Sequence, residues 1–186
     1  MSTYFPDKIG IVPRDFLADS LSRNPGKATV ICCERNAGEL PQLSKNFLQL
    51  RFDDILNDWF TQYQHEPKVK ELIPPAKEHV EQALEFARLH QNRTIFISCH
   101  AGVNRSPAIA WAILFDRTKS VYMATEKLFQ AGPFSAPNRD VIRFALEILA
   151  PGTGQYEYAD QLLTTFEQKI TSSSGWLQSA SEPVAL

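Results

Sequence analysis

The chain has 186 residues, of which 44% are hydrophobic and 22% are charged, and its formal net charge is -2. This length suits one well-packed domain and is too short for two of full size. The near-neutral charge provides no overall attraction to nucleic acid or to an anionic membrane, so any anion has to be recognised by a local site.

Strands alternate with helices along the first half of the chain. Short segments rich in β-branched and aromatic residues predict strands at residues 8–12, 28–33, 47–52 and 94–98. Helical patterns occupy residues 14–22 and 76–90, the second with Val80, Ala83, Leu84 and Ala87 at helical spacing. The stretch between the third strand and the second helix is predicted to be irregular.

Helices dominate the second half. Helical patterns predict helices at residues 107–115, 120–130, 139–149 and 158–170. Together with the strands, they predict an α/β fold whose central, largely parallel sheet of about four strands is flanked by helices. We expect residues 1–150 to form the functional domain and residues 151–186 to be a C-terminal extension, a helix followed by a mobile tail from residue 171.

A loop with a cysteine and an arginine joins the fourth predicted strand to an apolar helix. Its residues are Ser98-Cys99-His100-Ala101-Gly102-Val103-Asn104-Arg105-Ser106-Pro107. Ser106 suits a helix N-cap and Pro107 suits the first helical position. The amides of residues 100–105 are then expected to form an anion-binding nest at the positive end of the helix. Arg105 can hold two phosphate oxygens, and the positive field favours a nucleophilic Cys99 thiolate.

The segment from Cys99 to Ser106 resembles the signature loop of the protein tyrosine and dual-specificity phosphatases. Phe52-Asp53-Asp54-Ile55, Glu78-His79-Val80, Phe86-Ala87 and Pro137-Asn138 resemble a small bacterial tyrosine-phosphatase-like branch of this superfamily, over residues 8–150. The resemblance implies a dual-specificity-phosphatase-like fold, with residues 1–150 as the phosphatase domain. It also implies a two-step reaction through a phosphocysteine, without metal or other cofactor. In that reaction residues 100–105 bind the phosphate and Ser106 stabilises the departing Cys99 thiolate.

The residue before the nucleophile departs from the family pattern. The superfamily usually has a histidine there, which helps to fix the loop and to keep the cysteine ionised, whereas this chain has Ser98. A catalytically weak protein or an inactive phosphopeptide-binding module is therefore the competing hypothesis.

An aspartate on a separate loop serves as the proton donor in this family. Asp53 and Asp54 follow the third predicted strand, and parallel strands place their carboxyl ends at one edge of the sheet, near Cys99. Residues 48, 50, 52 and 54 share the apolar phase of that strand, which is expected to bury a carboxyl and favour its protonated form. Strand phase and family match both select Asp54; the alternative is that both aspartates are ordinary solvated groups.

The sequence predicts a protein phosphatase for phosphotyrosine, with phosphoserine and phosphothreonine as further candidates. The loop lacks the lysines of the superfamily's phosphoinositide phosphatases, which argues against an inositol lipid. An RNA 5′-triphosphatase is another alternative, which the net charge does not favour. The expected partner is a phosphorylated protein or peptide, without nucleic acid or membrane.

Composition also indicates a compartment. No apolar run approaches the roughly 20 residues that span a bilayer, and residues 1–10 lack the apolar segment of a secretory leader. Three cysteines, two of them adjacent, do not form a disulfide framework. We therefore expect a cytoplasmic protein.

Overall fold

Four parallel strands form the centre of the structure, a computed structural model that describes residues 8–24, 28–35, 38, 42, 44–132 and 134–173. The strands are β1 (Ile9–Pro13), β2 (Ala28–Cys32), β3 (Phe47–Gln49) and β4 (Thr94–Cys99), in the sheet order β1-β4-β2-β3. All pairings are parallel, so every strand ends at the same edge as β4. The predicted α/β fold with a largely parallel sheet is therefore confirmed.

Helices cover both faces of the sheet. Those in the described part of the chain are α1 (Leu17–Ser22, after a 3-10 turn at Arg14–Phe16), α2 (Asn57–Tyr63), α3 (Lys77–Leu89), α4 (Arg105–Thr118), α5 (Val121–Ala131), α6 (Arg139–Leu149) and α7 (Gln155–Ser173). Leu17 and Leu21 of α1 pack on one face, against Phe96 of β4. Helices α3 to α7 contribute to the larger core on the other face, against Ile95 and Ile97. Coverage on both faces explains why β4 is almost wholly apolar.

Helix α4 lies at the centre of the larger core. Its residues from Ser106 to Phe115 are all buried, because α3, α5, α6 and the sheet surround it. The Trp111 indole donates a hydrogen bond from Nε1 to Thr125 Oγ1 of α5 at 3.0 Å. This burial fixes the start of α4 relative to the end of β4, and with it the loop between them.

Three elements near the predicted site differ from the sequence prediction. Strand β3 ends at Gln49 instead of residue 52, and α2 lies in the stretch predicted to be irregular. Helix α2 gave no periodic signal because it has seven residues and buries none of them. Helix α4 begins at Arg105, with Asn104 at the N-cap position, so Ser106 is not the cap and Pro107 is the third helical residue.

The C-terminal helix α7 is longer than the predicted 158–170. Ala159 and Leu163 are fully buried, and the Phe166 ring stacks on Phe129 of α5 with 5.2 Å between centroids. Residues 171–173, predicted to begin a mobile tail, belong to this helix; residues 174–186 lie outside the described residues. The domain division at residue 150 stays a prediction. None of the described helices has both the length and the apolar character that crossing a membrane requires.

Candidate active site

The loop between β4 and α4 rests against the end of β1. Gly102 has a φ of +73°, in the left-handed region that favours glycine, and a Cβ on it would lie 3.1 Å from Pro13. The amide of Arg14 donates to the carbonyl of His100 at 3.3 Å. A side chain at residue 102 would therefore be both strained and crowded, so glycine is needed for the loop to sit on Pro13.

Two carbonyl groups of the loop accept hydrogen bonds from the segment that leads into α6. Those of Val103 and Asn104 accept hydrogen bonds from the amides of Ala136 and Asn138 at 2.8 and 3.2 Å. Within the described residues, the amides of residues 100–104 have no protein acceptor. Carbonyls that are already bonded elsewhere, amides without an acceptor and the start of α4 together suit the binding of an anion by the loop.

The predicted nucleophile and the predicted thiolate stabiliser are adjacent. Cys99 Sγ lies 3.1 Å from Ser106 Oγ, and the two residues are 3% and 0% exposed. Because Ser106 does not cap α4, its hydroxyl is available to donate to a sulfur anion.

The Arg105 guanidinium is held through one N–H of each Nη, which leaves the second N–H of Nη2 beside Nε. Its Nη1 donates to the carbonyl of Phe52 at 3.2 Å, and its Nη2 lies 3.5 Å from Glu34 Oε1. Both charged side chains are largely buried, with 11% and 12% exposure. Nε of Arg105 is buried and has no partner within the described residues. The edge formed by Nε and Nη2 can therefore receive two oxygens of a phosphate.

Asp54 is exposed, which differs from the burial expected from strand phase. Leu50 and Phe52 are still buried as that phase predicts, but regular pairing has ended at Gln49, so alternation no longer fixes residue 54. The chain beyond Phe52 follows irregular backbone up to α2. Strand alternation therefore does not select Asp54, whereas the resemblance of residues 52–55 to the phosphatases does not depend on it.

Asp53 is bound to the backbone of a neighbouring segment. Its Oδ2 accepts a hydrogen bond from the amide of Ile73 at 2.7 Å and lies 3.4 Å from Arg35 Nη1. The amide of Asp53 also donates to the carbonyl of Ile73 at 2.7 Å. Asp54 makes one long contact, with Asn138 Nδ2 at 3.4 Å, so of the two carboxylates it is the freer to reach a substrate.

Solved structures match this chain over most of its length. The structure of DUSP15 aligns with a TM-score of 0.58 at 17% identity, over 90% of this chain and 95% of that one. The fold is that of the dual-specificity phosphatases. A human DUSP28 structure aligns at 0.51 and 15% identity, over 92% and 97% of the two chains. PTPMT1 in complex with PI(5)P aligns at 0.51 and 12% identity, over 90% and 95%.

Sequence comparison alone finds less. No protein-family model matches the sequence, and no curated protein is found as a relative. At the identities above, the structural likeness establishes the dual-specificity phosphatase fold and not the reaction.

Ser98 lies beneath the loop of this dual-specificity phosphatase fold. It is fully buried, and within the described residues its hydroxyl has no hydrogen-bond partner. In the sheet it is in register with Cys32 of β2, and it shares the strand phase of Phe96, on the side of α1. The loop therefore receives no hydrogen bond from the side chain that stands where the family usually has histidine.

The two neighbouring cysteines are kept as thiols. Burial raises the pKa of Cys32 to about 12, with Glu34 adding to the effect. Burial also raises the pKa of Cys33 well above its ordinary value, reinforced by Cys99. Neither therefore competes with Cys99 as a nucleophile near neutral pH.

Glu34 was missed by the sequence analysis. It follows β2, at the same sheet edge as Cys99, and that placement was the signal that could have identified it.

Asn138 caps α6 through Oδ1, which accepts hydrogen bonds from the amides of Asp140 and Val141 at 3.1 and 3.3 Å. Within the described residues, no cluster of three metal-ligating side chains occurs.

Proposed function

We propose that this protein is a cysteine-dependent phosphatase. The observation that carries the proposal is the unpartnered Nε of Arg105, which borders the same loop as the buried Cys99–Ser106 pair. A buried guanidinium edge without an acceptor is costly unless a ligand supplies one. A phosphoryl group between Cys99 and Arg105 would supply its oxygens as acceptors.

In the first step Cys99 thiolate attacks phosphorus. The sulfur–phosphorus bond forms as the bond to the leaving oxygen breaks, and Asp54 donates its proton to that oxygen. The loop amides and Arg105 hold the other phosphoryl oxygens, whose charge is spread over all three in the transition state.

In the second step a water molecule attacks the phosphocysteine. Asp54, now a carboxylate, accepts the proton of the water, and phosphate leaves as the sulfur–phosphorus bond breaks. Ser106 Oγ, 3.1 Å from the sulfur, donates a hydrogen bond to the returning thiolate. His100, Ala101, Gly102, Val103 and Asn104 contribute the backbone that encloses the phosphate.

The proposed substrate is a phosphorylated protein or peptide, with phosphotyrosine first and phosphoserine or phosphothreonine as further candidates. The absence of lysine among the loop's variable positions supports this choice over an inositol lipid. The competing function is a phosphopeptide-binding module, which the unpartnered Ser98 hydroxyl favours because it leaves the loop less well supported.

Hydrolysis of p-nitrophenyl phosphate and of a phosphotyrosine peptide tests the proposal. We expect Cys99→Ser to abolish turnover but keep binding of tungstate, because the loop and Arg105 persist. Arg105→Lys should weaken both turnover and tungstate binding, since an ammonium group cannot replace the two parallel N–H donors of a guanidinium. An active serine variant would refute the covalent mechanism, and an inactive wild-type protein that binds the peptide would favour the binding module.

Asp54→Ala tests the acid, with Asp53→Ala as the matched control. We expect the first to lower kcat for phenyl phosphate by about 100-fold or more and much less for a substrate with a good leaving group. Any loss of kcat in Asp53→Ala should be similar for all substrates, because Asp53 binds the backbone of Ile73 and its removal would disturb the local structure. The opposite pattern would assign the acid to Asp53.

A further inference from the structure

The first turn of α6 holds the segment that bears Asp54. Asn138 Nδ2 donates to Asp54 Oδ1 at 3.4 Å and to the carbonyl of Ile55 at 3.1 Å. The amide of Asn57, the first residue of α2, donates to Asp140 Oδ2 at 2.6 Å. Helix α2 contributes little packing to hold the segment, because none of its residues is fully buried.

The same turn also contacts the anion-binding loop. The amide of Asn138 donates to the carbonyl of Asn104, and Asn104 Nδ2 donates to the carbonyl of Ala136 at 3.0 Å. The start of α6 therefore connects the loop of Cys99 with the segment of Asp54, and its position sets the distance between them.

Helix α7 fixes that turn through Arg139, which stands between Asn138 and Asp140. Arg139 Nε donates to Asp160 Oδ1 at 2.6 Å, and Nη1 and Nη2 donate to the two carboxylate oxygens of Glu167 at 3.0 Å each. Nη1 also donates to the carbonyl of Pro137 at 3.1 Å. A guanidinium with two carboxylates and a carbonyl has a strongly determined orientation.

We propose that α7 belongs to the catalytic machinery, with Glu167 and Asp160 as positioning residues that act through Arg139 to hold the Asp54 segment at the first turn of α6, which also binds the loop of Cys99. This inference rests on the proposed function. The contacts run without a gap from α7 to Asp54: Glu167 and Asp160 bind Arg139, and the residues on either side of Arg139 bind the acid segment. Apolar packing of α7 alone would hold the helix but would not orient the first turn of α6.

Hydrogen exchange tests the positioning without reference to activity. The variants are Glu167→Ala, Glu167→Gln, which keeps the size of the side chain, and Asp160→Ala. The control is Arg88→Ala, which removes the two-bond pair of Arg88 with Asp116, between α3 and α4. We expect the Asn57 amide to exchange about tenfold faster in the α7 variants and unchanged in the control. Unchanged exchange at Asn57 in the α7 variants would overturn the inference.

Kinetics test whether the effect passes through Asp54. With phenyl phosphate we expect about a tenfold loss of kcat in Glu167→Ala, and less than about twofold with a good leaving group, because only the first needs a placed acid. In an Asp54→Ala background the Glu167→Ala change should cost nothing further. Equal losses of kcat on both substrates, or a loss that adds to that of Asp54→Ala, would show that Glu167 and Asp160 have only a structural role.

The two proposals fail separately. If the wild-type protein hydrolyses no aryl phosphate, the proposed function fails, while faster exchange at Asn57 would still support the hold of α7 on the acid segment. If the wild-type protein is active and the α7 variants match the control in exchange and kinetics, only the role of α7 is overturned.

Discussion

At the scale of single residues, Ser98 is the buried position where the chain departs from the pattern of the phosphatase superfamily that its loop resembles. Strand alternation directs its side chain away from the side of Cys99 and toward α1. A buried hydroxyl without a partner loses its hydration and gains nothing in return. Ser98→Ala should therefore be nearly neutral or stabilising, whereas a histidine can donate to the loop backbone and hold its anion-binding form.

Ser98→His is expected to strengthen the loop. Iodoacetate should then alkylate Cys99 at lower pH than in the wild-type protein, and turnover of an aryl phosphate should rise severalfold. Mass spectrometry of the alkylated peptide assigns the reaction to Cys99 and not to its buried neighbours. An unchanged alkylation profile would show that the loop is already fully supported, and a profile shifted to higher pH would show that the histidine does not fit beside Cys32.

At the scale of elements, α3 begins with a side-chain hydrogen bond that depends on pH. The amide of Ala76 donates to Nδ1 of His79 at 3.0 Å, which requires that nitrogen to be unprotonated. The His79 ring also packs on Phe52, with 5.0 Å between centroids. Burial lowers the pKa of His79 below its ordinary 6.5, and Glu78 opposes the shift.

The sign of the pH dependence follows from this shift. A histidine whose pKa is lower in the folded state contributes stability above its unfolded value, and that contribution is lost as the pH falls through the folded value. We expect the urea midpoint of the wild-type protein to fall between pH 7 and pH 5 by more than that of His79→Gln. Glutamine can make the same bond without titrating, and the bond contributes about 1 kcal/mol. If the urea midpoints of the wild-type protein and His79→Gln fell by the same amount, His79 would not be the source of the pH dependence.

The elements that the sequence predicted well are those whose burial is strongly one-sided or complete. Helix α6 was predicted with its observed bounds, and β4 to within one residue, because apolar spacing or continuity marks them. Helix α2 was missed because no apolar face marks it. The partners of Arg105 and Arg139 were missed for another reason: Glu34 and Glu167 approach them only in three dimensions, 71 and 28 residues away along the chain.

The residues of the candidate site divide in the same way, into those that local sequence identifies and those whose placement depends on the rest of the fold. Local chemistry along one loop was enough to bring Cys99, Arg105 and Ser106 together as predicted candidates, since strand end, glycine and helix start are adjacent in sequence. Asp54 comes from a segment that no strand pairing fixes, so its exposure could not be derived from alternation beyond Gln49.

At the scale of the whole molecule, the question is whether residues after 150 can be removed. The larger core includes residues of α3, α4, α5 and α6, and α7 adds Ala159 and Leu163 to it, both with no exposed surface. Removing α7 would leave the faces of α5 and α6 beneath these residues open to water. It would also leave Arg139 without Asp160 and Glu167, in a largely buried position where an unpaired charge is costly.

A chain ending at Ala150 should therefore fold less stably or not at all, and Leu163→Ala measures the apolar part of that loss in the full chain. Truncating a buried leucine removes contacts and leaves a cavity, at a cost of about 3 kcal/mol. Thr165→Ala, on the exposed side of the same helix, is the control and should change the unfolding free energy by less than about 0.5 kcal/mol. Urea unfolding measures both.

The Leu163 variant also separates stability from catalysis. Because Leu163 makes no contact in the Arg139 network, Leu163→Ala should lose stability but keep the wild-type dependence of kcat on the leaving group. Equal stabilities for the leucine and threonine variants, together with a shortened chain as stable as the full one, would place the domain boundary at residue 150.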